Sequence, residues 1–161
     1  MISVILPTRD SAARLVQVLT LLVPAAVDGL VKAVVFADAD STDATLAIAE
    51  DSGARVISVQ GDVGTRLAAG VAAARGGWIL ALDEALALPE AWRVPVEAHL
   101  AGGGGKPAWI AAAGPFGLPG RPLAVLASRE AYDAAGGFKP GGEPLKALLG
   151  RLKPKAVRLR V

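Results

Sequence analysis

Four short apolar runs, Ile2–Leu6, Val31–Ala37, Arg55–Val59 and Trp78–Leu82, alternate with segments whose apolar residues recur at helical spacing. A β-α-β-α-β-α-β order leaves few ways to fold. The strands lie parallel in one sheet, joined by right-handed crossovers, and are buried between layers of helix. Pro7 halts the first run, and Asp10 or Ser11 caps a helix carried by Leu15, Val18, Leu19 and Leu22 and ended by Pro24. Ser41 or Thr42 with Asp43 opens a second helix through Glu50, which Gly53 closes. From Gly61 to Ala74 a glycine-rich turn feeds an alanine-rich helix, which Gly76-Gly77 stops.

Beyond Leu82 the pattern is less regular. Pro89–Leu100 reads as a helix, Gly102–Gly105 as an exposed flexible loop, and Trp109–Ala113 and Leu123–Ala127 as strands. Ser128 caps a short helix through Ala135, Gly136-Gly137-Phe138 makes a turn, Glu143–Leu152 is helical, and Ala156–Val161 alternates like a terminal strand. A chain of 161 residues is the size of one domain, expected to span 1–161. Although 53% of residues are hydrophobic, the longest apolar candidate, Leu15–Val27, is broken by Gln17, Thr20 and Pro24, so no membrane span is expected. The opening MISVILPTRD lacks a basic leader region, which makes a cytoplasmic protein the default. The apolar composition suggests a homodimer, with hydrophobic surface covered by the second subunit.

With no cysteine and one histidine, His99, there are no disulfides or thiolate sites, and a metal would need carboxylate and phosphate oxygens, hence magnesium or manganese. Seventeen basic against fifteen acidic residues are too nearly balanced for a nucleic-acid binder. The basic excess in Lys146–Arg160 fits a solvated helix face and strand edge, with peripheral contact to an anionic membrane or to phosphates as the alternative. Three polar clusters stand at strand carboxyl ends: Pro7-Thr8-Arg9, Asp38–Asp43 and Asp83-Glu84. In an open parallel sheet such ends converge on one crevice, where ligands bind. Asp38, at the end of an apolar strand, needs a partner. For Ser41, Thr42 and Asp43, helix capping and ligand contact fit equally well. The helix after the Gly61 turn offers a phosphate its free N–H groups, and Arg66 a charge, although GDVGTR matches neither the dinucleotide fingerprint nor the Walker lysine pattern. Trp78, Trp92 and Trp109 read as packing residues, and His99 as a helix-end residue.

The segments ISVILPTRD, VVFADADSTDAT, ARGGWILALDEALALP and AYDAAGGF, in that order and spacing, resemble the family 2 glycosyltransferases of the GT-A fold, from about Ile2 to Phe138. The resemblance implies a three-layer α/β/α Rossmann-like domain with a mostly parallel central sheet. It also implies transfer of a sugar, with inversion, from a nucleotide-diphospho-sugar to an unidentified acceptor. Pro7, Thr8 and Arg9 would lie on the nucleoside side, Asp38 would accept a hydrogen bond from the base edge with Asp40 close by, and Arg66 would approach the diphosphate. Asp83 falls on the first aspartate of the family's D-x-D motif, whose divalent cation, manganese or magnesium, bridges the diphosphate. Two departures stand out. The motif reads Asp83-Glu84-Ala85, leaving Glu84 as the substitute ligand, and the acidic pair that supplies the base is here Glu143-Pro144, leaving Glu143 as the candidate catalytic base. They motivate an alternative: a catalytically impaired domain that binds nucleotide or a protein partner. A nucleotidyltransferase on a related fold ranks below both, because Pro7–Asp10 supplies no glycine for a triphosphate loop.

Overall fold

The alternation folds as expected into one sheet, seen in a computed structural model that describes residues 1–102 and 104–161. In chain order the elements are β1 (Ile2–Thr8), α1 (Ala12–Val27), β2 (Val31–Asp38), α2 (Thr45–Asp51), β3 (Arg55–Ser58), α3 (Val63–Ala73), β4 (Trp78–Leu82), α4 (Arg93–Ala101), β5 (Ala108–Ala113), β6 (Pro119–Ser128), α5 (Arg129–Ala134), α6 (Pro144–Arg151) and β7 (Val157–Leu159). A single 3-10 turn, Glu90–Trp92, leads into α4. The sheet order is β3-β2-β1-β4-β6-β5-β7. β1 pairs in parallel with β2 and β4, and β2 with β3, whereas β6 runs antiparallel to both β4 and β5. The four-glycine loop includes Gly103, which lies outside the described residues.

Both faces of the sheet are covered at its centre, which is why the central strands are mostly apolar. On one side Leu15, Val18 and Leu22 of α1, Ala49 of α2 and Val96 of α4 pack with Val4, Leu6 and Leu80. On the other, Leu67 and Val71 of α3, Tyr132 of α5 and Leu145 and Leu148 of α6 pack with Ile5, Ile79 and Val125. α3 sits so close to β1 that a Cβ at Gly70 would collide with the Ile5 side chain. Trp92 is fully buried, as its packing assignment requires. No helix among the described residues is long and apolar enough to cross a membrane.

Several boundaries differ from the sequence reading, and three of them have a clear physical reason or consequence. β1 runs through Pro7 to Thr8. Even-numbered residues of β1 face β2, as the bonds Ile2 N–Leu30 O and Ala39 N–Thr8 O show. The nitrogen of Pro7 therefore faces β4, whose ladder with β1 already ends at Ile5–Ala81, so the missing donor is not needed. Likewise α1 continues past Pro24 to Val27. Leu22 and Ala25 anchor its last turn in the core, and the carbonyl left without a donor belongs to the exposed Thr20. β6 is twice the expected length, and its early part, Pro119–Pro122, pairs irregularly with β5.

Candidate functional site

Thr8 lies opposite Asp38 across the β1–β2 ladder, and Ala81, two residues before Asp83, lies opposite Ile5. The three polar clusters therefore share one rim of the sheet. They do not share one task.

At the β1–β2 end the polar groups are spent on one another. Asp38, 2% exposed, accepts hydrogen bonds from Thr8 Oγ1 (2.8 Å), Ser41 N (2.8 Å) and Ser41 Oγ (2.6 Å). Asp10 accepts from Thr42 N at 2.7 Å, and Ser11 N donates to Thr45 Oγ1 at 2.8 Å. Asp43 accepts from Ala12 N at 3.1 Å and so caps α1 across the gap, while also accepting from Thr45 N at 2.9 Å. Its carboxyl is held below the usual carboxylate range, chiefly by the Thr45 hydroxyl and then by the Thr45 backbone N–H. Because Ser41, Thr42 and Asp43 lace the two loops together, α2 starts only at Thr45. Asp40 accepts from Ser58 Oγ at 3.1 Å and from Gln60 Nε2.

The glycine-rich turn is also self-satisfied. Asp62 caps α3, accepting from Thr65 N at 2.8 Å, and accepts from Gly141 N at 2.8 Å. Its carboxyl is held low first by the Thr65 N–H. Arg66 does not reach toward a ligand. Its guanidinium, 3% exposed as a residue, donates to Thr8 O at 3.1 Å and to Glu84 Oε1 at 2.7 Å, bracing β1 against the segment after β4.

Charged side chains gather where β1 and β4 separate, the point at which the strand order reverses and α/β sheets bind ligands. A cavity of about 600 Å³ opens there, lined at its β1 end by Arg9, Ser11 and Arg14, at its β4 end by Asp83, Glu84 and Ala85, and elsewhere by Arg121 of β6 and by Glu143 and Lys146 at the start of α6. Asp83 is mostly buried and ion-paired with Arg121. Neither Asp83 oxygen has a hydrogen bond among the described residues, so that attraction is a charge contact without hydrogen-bond geometry. Glu143 pairs with Lys146 at 3.2 Å. Among the described residues Arg9 and Arg14 form no ion pair.

The α6 end of the cavity is positioned by the turn after α5. Gly136 and Gly137 adopt left-handed φ of 76° and 63°, and Phe138 N donates to Tyr132 Oη at 2.9 Å. Arg151 donates to Ala135 O at 2.7 Å and to Gly137 O at 2.8 Å, so this member of the basic C-terminal cluster is committed to the fold. Gly64 of α3 packs on the same segment, where a Cβ would strike the Lys139 carbonyl oxygen.

The family model for glycosyl transferase family 2 matches residues 3–95, more than half of the chain. The chain belongs to glycosyl transferase family 2. Its activity is thereby that of a nucleotide-sugar glycosyltransferase, on the GT-A form of the α/β fold. Glucosyl-3-phosphoglycerate synthase from Mycobacterium tuberculosis, solved with Mn2+, uridine diphosphate and glucosyl-3-phosphoglycerate, is 25% identical, with 98% of this chain covering 68% of that one at a TM-score of 0.72. The same enzyme with phosphoglyceric acid is 26% identical, with 98% and 68% covered and a TM-score of 0.72. S. aureus TarS, residues 1–349, is 18% identical with a TM-score of 0.78, over 98% of this chain and 57% of that one, a likeness of fold. No curated protein sequence is significantly similar to the chain.

The divalent cation that the family implies finds little to hold it. Ala85 offers no ligand, Glu84 is drawn toward Arg66, and Asp83 faces Arg121. Among the described residues no three His, Asp or Glu side chains converge as a ligand set, and His99 is turned to Lys106 O at 2.8 Å. These residues do not fit a family metal site.

Of the nucleotide-side residues expected from sequence, only Arg9 lines the cavity; Pro7, Thr8, Asp38, Asp40 and Arg66 do not. Asp83, Glu84 and Glu143 do line it. Arg14 and Arg121, which also line the cavity, were not singled out from the sequence, and Lys146 entered only as the start of the basic C-terminal cluster. Arg14 and Lys146 look like ordinary helix-surface charges, and Arg121 sits between Gly120 and Pro122 in a stretch that matches no motif.

Proposed function

We propose that the cavity is the transfer site of this glycosyltransferase, taking a nucleoside diphosphate sugar with its diphosphate toward Arg9 and Arg14 and its acceptor toward the start of α6. One observation carries the reading: in a family 2 fold, the cavity at the strand-reversal point is lined by Arg9 and Arg14, which form no ion pair among the described residues, together with three carboxylates that are each held by one cation. A uridine diphosphate sugar is the first donor to try, because the solved relative binds uridine diphosphate. The nucleoside lies on the Pro7, Asp38 and Asp40 side, where those residues shape the rim without lining the cavity.

Glu143 is the base in this reading. It stands at the N-terminal edge of α6, where Pro144 at the first helical position fixes the backbone and leaves the carboxylate at the cavity mouth. The carboxylate takes the proton of the acceptor hydroxyl as its oxygen bonds to the anomeric carbon. The bond from that carbon to the diphosphate oxygen breaks, and its electron pair leaves with the nucleoside diphosphate. Attack from the opposite face inverts the anomeric centre.

Transfer or hydrolysis across a panel of nucleotide sugars tests this. Turnover is expected with at least one donor, and Glu143→Gln should lower kcat by about 10²–10⁴-fold. Tight nucleotide binding with no turnover for any donor would favour the impaired-domain alternative that Ala85 and Pro144 motivate.

A further inference from the structure

We propose that Arg121 takes the part of the divalent cation, so that sugar transfer here is independent of metal; the inference rests on the transfer-site reading above. β6 runs antiparallel to β4, so its early residues pass the carboxyl end of β4, where a metal motif would act. Asp83 N donates to Leu123 O at 2.9 Å, which fixes the two strands next to each other at this point. The backbone on either side of Arg121 is stiff. A Cβ at Gly120 would lie 2.9 Å from Ala112 O, so that close approach leaves no slack, and Pro122 has its φ locked by the ring. A 57% exposed arginine side chain is thus presented on a rigid strand to a carboxylate side chain that is 13% exposed.

Charge supports the same conclusion. Arg9, Arg14, Arg121 and Lys146 line the cavity with Asp83, Glu84 and Glu143, and buried Arg66 stands behind Glu84. Four cations against three carboxylates leave the cavity lining with one net positive charge, the sign that a diphosphate requires. The diphosphate gains negative charge as the sugar departs, and preorganised cations in a cavity stabilise that charge. A guanidinium also meets phosphate oxygens through a planar fork of donors. Asp83 is then a positioning residue: it draws Arg121 to the cavity wall and stays paired with it while the free donors of the guanidinium fork face the diphosphate.

The test is calorimetric binding of uridine, guanosine and adenosine diphosphates to the full chain, with donor turnover measured alongside, in chelator and in excess manganese. Affinity and kcat are expected to agree within about twofold between the two conditions, given that a factor of ten would already mark one good interaction. Arg121→Gln should lower kcat about 10²-fold with a smaller change in KM, and manganese should not restore it. Arg121→Lys should recover part of the loss in chelator. Arg121→Gln leaves the buried Asp83 carboxylate without its cation and should lower Tm, so the double variant Arg121→Gln with Asp83→Asn, which removes the stranded charge, is measured as well: its circular dichroism melt should return toward the parent while kcat stays low. Binding or turnover that needs manganese overturns this inference and leaves the transfer site standing. No binding and no turnover in either condition removes the transfer site and this inference with it.

Discussion

Two stretches of the same sheet rim are built from similar residues and behave oppositely. Where β1 meets β2, Thr8, Asp10, Ser11, Asp38, Ser41, Asp43 and Thr45 satisfy one another in a closed lattice of hydrogen bonds. Where β1 meets β4 and β6, Asp83 lacks hydrogen bonds and Arg9 and Arg14 lack ion pairs among the described residues. The contrast separates polar residues that hold loops from polar residues held ready for something else. A buried group with its bonds complete is costly to remove and contributes little to a ligand. One left incomplete costs the fold, and its partner has to come from a ligand or a neighbouring charge.

The sharpest way to break this contrast is to remove a carboxylate from each side. Asp38→Ala strands Thr8 Oγ1, Ser41 Oγ and Ser41 N, and should destabilise by about 3 kcal/mol, with Tm lower by roughly 6–12 °C in thermal melts. Asp83→Ala should change stability by less than about 1 kcal/mol, since it removes unbonded oxygens and frees an exposed arginine. Comparable melting losses in the two variants would erase the distinction. Next in size, Gly64→Ala should cost about 1–3 kcal/mol by forcing α3 away from the Lys139 carbonyl, and urea unfolding reads it directly. The smallest effect concerns acid. Asp43 and Asp62 have depressed carboxyl pKa values, so their contribution is present above the ordinary value of 3.8 and is lost as pH falls through their lower folded values. Melts below pH 3.8 should show Asp43→Asn and Asp62→Asn converging on the parent, and a difference that persists undiminished would contradict the assignment.

Legibility followed the same divide. β4 was readable to the residue because a strand covered on both faces is an unbroken apolar run between turn residues, and β3, an edge strand with exposed ends, to within one. Pro7 and Pro24 misled, since proline forbids only a donor in one direction, and which direction matters is decided by neighbouring chain. Ser41, Thr42 and Asp43 carried capping chemistry in their side chains, but the helix they serve is partly α1, reached through Asp43 across the loop gap. Arg66 read as a phosphate contact from its place after a glycine-rich turn, a weak signal by itself; in the fold it is buried and braces Thr8 O and Glu84.

The linear chain determined the layer order, the shared rim of Thr8, Asp38 and Asp83, and the family, because these depend on periodicity and on motifs a few residues long. Which rim residues face the cavity was settled only by folding. Arg121 reaches Asp83 from 38 positions away, and that meeting depends on β6 running antiparallel past β4. Pair contacts between distant segments follow from strand direction and register, and no local pattern of residues encodes those by itself.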